Sequence, residues 1–374
     1  MNVIIAAAGT GGHINPGIAI ANRIKEENKD AKITFIGTVR GLENDLVPRA
    51  GYDLERIEAY GINRRISIQN FKNMLKTLHS YKEARQIVKK LNPDIVIGTG
   101  GYICGPVLSA ARKQGVPTML HESNAYPGVA VKVLSGKVNT VLVGFEDAKK
   151  RLPKAKKVVV SGTPTKLRKI ELTNTQKEDL KKELKIKSDL PIVLVFGGSQ
   201  GAKTINEALL GIIRKKLNEK YHVVWAVGQN QYNVVKEELE NEKLNINNIK
   251  NMTIVPYIYN MQEVMNMADL IVARSGAMTI TEVSIVGKPA IFIPFPFATE
   301  NHQEYNARVL ADKGAARIIL DKDLNTQVLN SQILEIVEDK NLQKQMGEIA
   351  LKSAVKDVED KIYEEIKILI NKTN

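Results

Sequence analysis

Two glycine-rich turns stand half a chain apart: Gly9-Thr10-Gly11-Gly12-His13 after the apolar run Val3 to Ala8, and Gly197-Gly198-Ser199-Gln200-Gly201 after Ile192 to Phe196. Each apolar run is strand-like, and each turn opens a helix-like segment. A strand, a glycine turn and a helix N-terminus together make an anion site. Glycine lets the backbone approach the ligand, and the helix start offers unpaired N–H groups at its positive dipole end. A further turn lies midway along each half, Gly98-Thr99-Gly100-Gly101 in the first and Arg274-Ser275-Gly276-Ala277 in the second. This layout predicts two phosphate-bearing ligands in one cleft.

Polar side chains cluster beside these turns. His13 ends the first one, and an imidazole titrates near neutrality. It reads equally as a general base and as a side chain that caps the helix or holds a phosphate oxygen. His121-Glu122-Ser123-Asn124 follows a strand-like run and precedes Pro127-Gly128; polar groups at a strand end serve either a site or loop hydrogen bonding. Glu282 lies about two helical turns past Gly276, where a carboxylate binds a ribose diol or is simply solvated. Asn301-His302-Gln303-Glu304-Tyr305-Asn306 is dense in hydrogen-bonding groups, as a sugar site or a polar helix start would be.

Several common owners of glycine turns fail on residues. A dinucleotide fold wants G-x-G-x-x-G, but Ile14 stands at the third glycine, and the second strand ends in Gly37-Thr38 with no acid for a ribose. Gly197 to Thr204 approaches a P-loop, yet Ala202 replaces the needed glycine. The histidines at 13, 79, 121, 222 and 302 show no close ligand spacing, and the lone Cys104 gives no zinc set, so no metal is expected. Asp321-Lys322-Asp323 has a D-x-D form, but between a strand and a helix a capping acid explains it better.

The elements that must position these groups follow an alternating pattern. Strand candidates are 3–8, 33–37, 94–98, 117–120, 139–143 and 157–160, then 192–196, 222–227, 252–255, 269–273, 289–293 and 316–319. Amphipathic stretches separate them, which predicts βαβ units, parallel sheets and an α/β class. Pro16 suits the first turn of a helix capped by Asn15, helices follow at 203–217 and 276–286, and 342–374 reads as one or two terminal helices. In such sheets ligands sit beyond the carboxyl ends of the strands, where all four turns are expected. The length of 374 residues suits two domains, and the Thr-, Pro- and Lys-rich stretch 161–190 interrupts the pattern between them. Domains are therefore expected at 1–163 and 164–350, with a C-terminal helix at 351–374 that packs back on the first.

The chain is basic, with a formal charge of +13, and the excess is concentrated. Residues 60–92 carry eight basic side chains against Glu83 alone, and 149–169 carry nine with no acid. Solvated faces, nucleic acid and an anionic membrane surface each account for such runs. One cysteine forbids a disulfide within the chain and points to a reducing compartment. No apolar run is long enough to span a bilayer.

The ordered motifs GTGGHINP, GTGGYICGP, HESNAYPG, GGSQGA, ARSGAMTITE and ENHQEYNA resemble those of the bacterial MurG family over nearly the whole chain. The resemblance implies a GT-B fold, two Rossmann-like domains facing across a cleft. It implies inverting transfer of N-acetylglucosamine from UDP-GlcNAc to lipid I, the undecaprenyl-diphospho-muramyl-pentapeptide, giving lipid II. It further implies that Gly9, Thr10, His13, Gly100, Gly101, Tyr102 and Glu122 face the acceptor. Thr10, Gly11, Gly12, Asn124, Lys166, Gly198, Ser199, Gln200, Ser275, Gly276, Glu282, His302 and Gln303 would serve the donor, with Glu282 on the ribose. His302 departs from the glutamine often found there, and Lys166 stands where many members have arginine, which keeps the charge but loses the bidentate fork. His13 is the candidate general base, and no cofactor is implied.

The implied acceptor carries a polyprenyl tail, so the chain is expected at the cytoplasmic face of the membrane as a peripheral protein. Phe71, Met74, Leu75 and Leu78 share a helical face beside Lys72 and Lys76, which reads as a membrane contact or as an ordinary core-facing helix. Expected partners are UDP-GlcNAc, the lipid-linked acceptor, anionic lipid and other cell-wall synthesis proteins. A related GT-B transferase acting on diacylglycerol is the alternative enzyme. A non-catalytic nucleic-acid binder fits less well, because the basic runs lack interleaved aromatic platforms.

Overall fold

A computed structural model describes residues 1–59, 68–198 and 201–372, and side chains within 68–78 lie outside that description. In chain order the elements are β1 (Asn2–Ala6), α1 (Gly11–Glu27), β2 (Lys32–Thr38), α2 (Glu43–Arg49), β3 (Asp53–Ile57), α3 (Ile68–Leu91), β4 (Ile95–Gly98), α4 (Cys104–Lys113), β5 (Thr118–Glu122), α5 (Val129–Leu134), β6 (Thr140–Val143), α6 (Glu146–Lys149) and β7 (Val158–Val160). There follow α7 (Asn174–Glu183), β8 (Ile192–Phe196), α8 (Lys203–Lys215), β9 (His222–Ala226), α9 (Gln229–Asn241), β10 (Met252–Val255), α10 (Met261–Met267), β11 (Leu270–Ala273), α11 (Ala277–Val286), β12 (Ala290–Phe292), α12 (His302–Ala311), β13 (Ala316–Ile318), α13 (Thr326–Val337), α14 (Lys340–Ser353) and α15 (Val358–Asn371).

The chain divides into two units, Met1–Lys166 with Val355–Asn374, and Leu167–Ala354. The first holds a parallel sheet in the order β3-β2-β1-β4-β5-β6-β7. Helices cover both faces, which is why β1 and β4 read as near-continuous apolar runs, Val3 to Ala6 and Ile95 to Ile97. Along β1, Val3 and Ile5 pack with Ile14, Ile18 and Ile24 of α1, whereas Ile4 and Ala6 pack with Val107 and Leu108 of α4. The returning α15 completes the α1 face through Ile362, Ile366 and Leu369, spaced as one helical stripe. Each such side chain contributes roughly 1.5–3 kcal/mol when fully buried.

The second unit holds a parallel sheet in the order β10-β9-β8-β11-β12-β13. Val193 and Val195 of β8 pack in one core with Ile205, Leu209 and Ile212 of α8 and Leu329 and Ile333 of α13. In each sheet the strand order reverses at one place. β1 lies between β2 and β4, and β8 lies between β9 and β11. Such a switch point opens a crevice beyond the carboxyl ends of the strands. The four glycine turns follow β1, β4, β8 and β11, two at each switch point.

All twelve strand candidates form strands. The strand β3 was not expected. It is a sheet edge of sequence Asp-Leu-Glu-Arg-Ile in which Ile57 alone is buried, so it lacks the apolar run of an inner strand. The first helix also begins earlier than Pro16 suggested. Thr10, not Asn15, is its N-cap, and the N–H groups of His13 and Ile14 close the first turn on the Thr10 carbonyl. Pro16 therefore lies inside the helix, and His13 belongs to its first turn.

Candidate functional site

In the first unit the two glycine turns meet at His13. Gly100 and Gly101 both have positive φ, at +116° and +81°. A Cβ on Gly100 would stand 2.5 Å from His13 Cδ2, and one on Gly101 would stand 2.9 Å from the Ala8 carbonyl oxygen. The second turn is thus glycine because the imidazole and the first turn occupy the space a side chain needs. Thr99 Oγ1 donates to the His13 carbonyl at 2.8 Å, joining the two turns from below. His13 Nδ1 lies 3.2 Å from the Ala8 carbonyl oxygen. A carbonyl only accepts, so Nδ1 carries the proton, and the lone pair of the neutral ring is on Nε2.

The first turn is held by a residue that sequence reasoning passed over. Glu43, at the start of α2, is fully buried. Its Oε2 accepts from the Gly9 N–H at 3.0 Å, and its Oε1 accepts from the Thr38 N–H at 2.8 Å and the Thr38 hydroxyl at 2.7 Å. Burial pushes the carboxyl pKa up, but the hydrogen bonds from Thr38 and Gly9 outweigh it and hold the group below the usual carboxylate range. The loop after β2 does deliver an acid to the glycine turn, five residues beyond Thr38, where it grips backbone. No signal short of the β1–β2 pairing would have found it.

The polar groups after β4 and at the end of β5 are likewise held by backbone. Cys104 Sγ lies 3.3 Å from the Gly100 N–H and 3.2 Å from the Gly100 carbonyl, and burial pushes the thiol up to about 12. His121 Nε2–H donates to the Gly162 carbonyl at 3.0 Å, and burial lowers its pKa to about 4. Glu122 accepts from the Asn124 N–H at 2.8 Å, the Asn124 amide at 2.9 Å and the Gly128 N–H at 2.8 Å, so its carboxylate shapes the loop after β5. Tyr102, at the end of the β4 turn, is exposed, as are Thr10 and Gly12 of the first turn. Lys166 is exposed at the end of the first unit's long segment.

The second unit gathers its own set at the ends of β8, β11 and β12. Gly198 and Gly201 have φ of +89° and +79°, and a Cβ on Gly201 would overlap the Val227 carbonyl. The α8 N-terminus has no side-chain cap. Ser199 and Gln200 lie outside the described residues, as do the side chains of Phe71, Lys72, Met74, Leu75, Lys76 and Leu78. Ser275 is fully buried, and among the described residues its hydroxyl is one of the few buried side-chain groups with no hydrogen-bond partner. Its carbonyl accepts from the buried Asn306 amide at 3.2 Å. Glu282 is half-buried on α11, two turns beyond Gly276. Gln303 accepts from the Phe295 N–H at 3.0 Å, and His302 Nδ1–H donates to the Thr299 carbonyl at 2.7 Å. Glu300 and Asn301 hold φ of 54° and 55°, so the loop entering α12 is strained.

Asp321 does not cap a helix. Asn325 caps α13 by accepting from the Val328 N–H at 3.0 Å. Asp321 instead meets Arg274 at 2.5 Å, and both also bond Thr204. Arg274 donates further to the Ile293 and Pro294 carbonyls at 3.1 and 3.2 Å. This nearly buried cluster joins the start of α8 to the loops after β11, β12 and β13, and so ties together the segments beside the glycine turns that follow β8 and β11. Among the described residues no group of three or more His, Cys, Asp or Glu side chains could hold a metal ion.

Family models for the glycosyltransferase family 28 N-terminal and C-terminal domains match residues 3–143 and 192–362. A UDP-N-acetylglucosamine–N-acetylmuramyl-(pentapeptide) pyrophosphoryl-undecaprenol N-acetylglucosamine transferase of Ruminiclostridium cellulolyticum is 40% identical over 99% of this chain and 100% of its own. A transferase of the same name from a Thermoanaerobacter species is 42% identical over 98% and 99%. Among solved structures, Acinetobacter baumannii MurG superposes with a TM-score of 0.77 at 30% identity, covering 98% of this chain and 99% of that one. The calicheamicin glycosyltransferase CalG4, at 14% identity and a TM-score of 0.67 over 99% and 98%, shares the fold alone.

Proposed function

The chain belongs to glycosyltransferase family 28 and, within it, to the MurG transferases with their GT-B fold; on that premise we propose how its residues carry the reaction. It moves N-acetylglucosamine from UDP-GlcNAc to lipid I, forming lipid II in peptidoglycan synthesis. The observation that carries this activity is identity of 40% and above to transferases of that name along the full chain.

In the proposed mechanism the acceptor's sugar hydroxyl attacks the anomeric carbon, the bond from that carbon to the diphosphate oxygen breaks, and UDP leaves with the electron pair. His13 Nε2 takes the hydroxyl proton. Two features support this: the Nδ1–H bond to Ala8, which leaves the lone pair on Nε2, and the two glycine turns that hold the ring. The Gly9–His13 and Gly98–Tyr102 turns face the acceptor. The Gly197–Gly201 turn and the uncapped start of α8 meet the donor diphosphate. Their N–H groups stabilise the charge that grows on it, so the step draws on no metal or cofactor. Glu282 takes the ribose, the free Ser275 hydroxyl finds its partner on the nucleotide, and Gln303 and His302 meet the sugar side. Asn124 lies near the transferred sugar, and Lys166 adds charge toward the diphosphate.

No helix among the described residues is long and apolar enough to cross a membrane. We place the enzyme on the cytoplasmic membrane face, with the basic stretch 60–92 on anionic lipid. An assay offering lipid I and diacylglycerol with UDP-GlcNAc and UDP-glucose tests the activity, and turnover on diacylglycerol alone would overturn it. Liposome flotation tests the docking, and binding that survives charge reversal at Lys72, Lys76 and Lys82 would remove that stretch from the role.

A further inference from the structure

The peptide group between Ala8 and Gly9 is gripped from both ends. Its N–H donates to Glu43 Oε2 at 3.0 Å, and its carbonyl accepts from His13 Nδ1 at 3.2 Å. No cis peptide occurs in the described chain, so the two bonds leave opposite sides of one planar amide. The carboxylate that anchors this line is buried, with Thr38 donating twice to its other oxygen. Space for it is reserved: a Cβ on Gly41 would overlap its oxygens, and one on Gly37 would stand 2.6 Å from its Cγ.

We propose that Glu43 is a positioning residue for His13, acting through the Ala8–Gly9 peptide. The arrangement stands in for the direct carboxylate–imidazole contact found where a base is oriented by a neighbouring acid. A carboxylate accepting the amide N–H draws the amide's electrons toward its carbonyl oxygen, and hydrogen bonds in a chain reinforce one another in this way. The enriched carbonyl holds the Nδ1 proton more firmly. Nε2 is then kept as the acceptor, and the imidazolium formed when it takes the acceptor's proton is stabilised. Glu43 itself gains no proton; the proton stays on Nε2 until the ring is regenerated by solvent. The same contact occupies the Gly9 N–H, which is therefore withdrawn from any phosphate. The inference rests on His13 being the base.

The test combines Glu43→Gln with His13→Ala and the double variant. In Glu43→Gln the amide NH2 faces the Gly9 N–H, donor against donor, while the other oxygen still accepts from Thr38. Turnover with UDP-GlcNAc and a soluble lipid I analogue should fall about tenfold, part of the 10²–10⁴-fold that a positioned base supplies. KM for UDP-GlcNAc should stay within about twofold, as expected for an interaction that acts only in the transition state. In the His13→Ala background Glu43→Gln should add no further loss. An equal loss in both backgrounds overturns the relay and leaves the base intact; full turnover in His13→Ala overturns the base reading instead. Imidazole ¹⁵N spectra, with His13→Ala for assignment, give a readout that does not depend on the variant folding. Neutral His13 should be the Nδ1–H tautomer in the unmodified enzyme, and an Nε2–H tautomer there would sink the inference. Gly41→Ala, which crowds the same carboxylate without removing it, should reproduce the turnover loss.

Discussion

Gly100→Ala tests whether the placement of His13 governs turnover. The new Cβ would stand 2.5 Å from His13 Cδ2, 3.0 Å from Nε2 and 3.2 Å from Cγ. Carbon atoms settle at about 3.5–4.0 Å, so the imidazole must withdraw by about 1 Å. A misplacement of that size costs on the order of 10²-fold in rate, or about 2.7 kcal/mol of barrier. The φ of +116° adds backbone strain of roughly 1–3 kcal/mol for any residue but glycine. In a unit of this size each kcal/mol lowers Tm by about 2–4 °C. Gly115→Ala separates the two effects. Its φ is +78°, but nothing lies within 4 Å of the new Cβ, so it should lower Tm and spare kcat. Steady-state kinetics with UDP-GlcNAc and a soluble lipid I analogue, alongside calorimetry, measure both. Gly100→Ala should lose kcat about a hundredfold, with KM for UDP-GlcNAc nearly unchanged, because the turns proposed to hold the nucleotide lie in the other unit. A folded Gly100→Ala enzyme with near-normal kcat would refute the reasoning.

Other perturbations reach the second unit and the buried histidines. Ser275→Ala removes a buried hydroxyl that has no partner of its own; Tm should hold or rise, while KM for UDP-GlcNAc rises about tenfold, the scale of one hydrogen bond to a charged group. An unchanged KM would take Ser275 out of the donor site. Asp321→Asn leaves the nearly buried Arg274 without its counter-charge and should destabilise the second unit by about 3–5 kcal/mol, with a weaker grip on UDP; equal melting curves would show that this ion pair does not hold the unit together. His121 has a folded pKa of about 4 against an ordinary 6.5. As pH falls through that window the unfolded chain takes up the proton first. Stability is therefore complete above pH 6.5 and falls toward pH 4, by up to about 3 kcal/mol. The Tm of His121→Gln should decline less steeply over the same range, and parallel slopes would show that burial of His121 is not the cause.

Much of the fold was open to a reader of the chain. Apolar runs marked every strand but β3, whose charges suit a sheet edge, and glycine clusters marked both switch points. The first helix was misplaced because Pro16 is a usual starting signal, whereas here Gly11 to Asn15 already turn helically before it. Asp321 was expected to cap a helix because the D-x-D pattern precedes one, but the cap is Asn325, and the aspartate answers the charge of Arg274 in the turn after β11.

By themselves, the residues determined where the backbone takes turns that only glycine readily adopts: Gly9, Gly100, Gly101, Gly198 and Gly201, all with positive φ. Strand periodicity and the steric demand for glycine are local properties, so they are written in neighbouring residues. Tertiary structure alone decided which groups answer one another. Gly9 and Glu43 are 34 positions apart, Thr99 and His13 are 86 apart, and Arg274 and Asp321 are 47 apart. These partners meet because the parallel pairings align the carboxyl ends of separate strands. A hydrogen bond across that distance leaves no periodic trace in the chain, and so the carboxylate behind His13 became visible only when β1 lay beside β2.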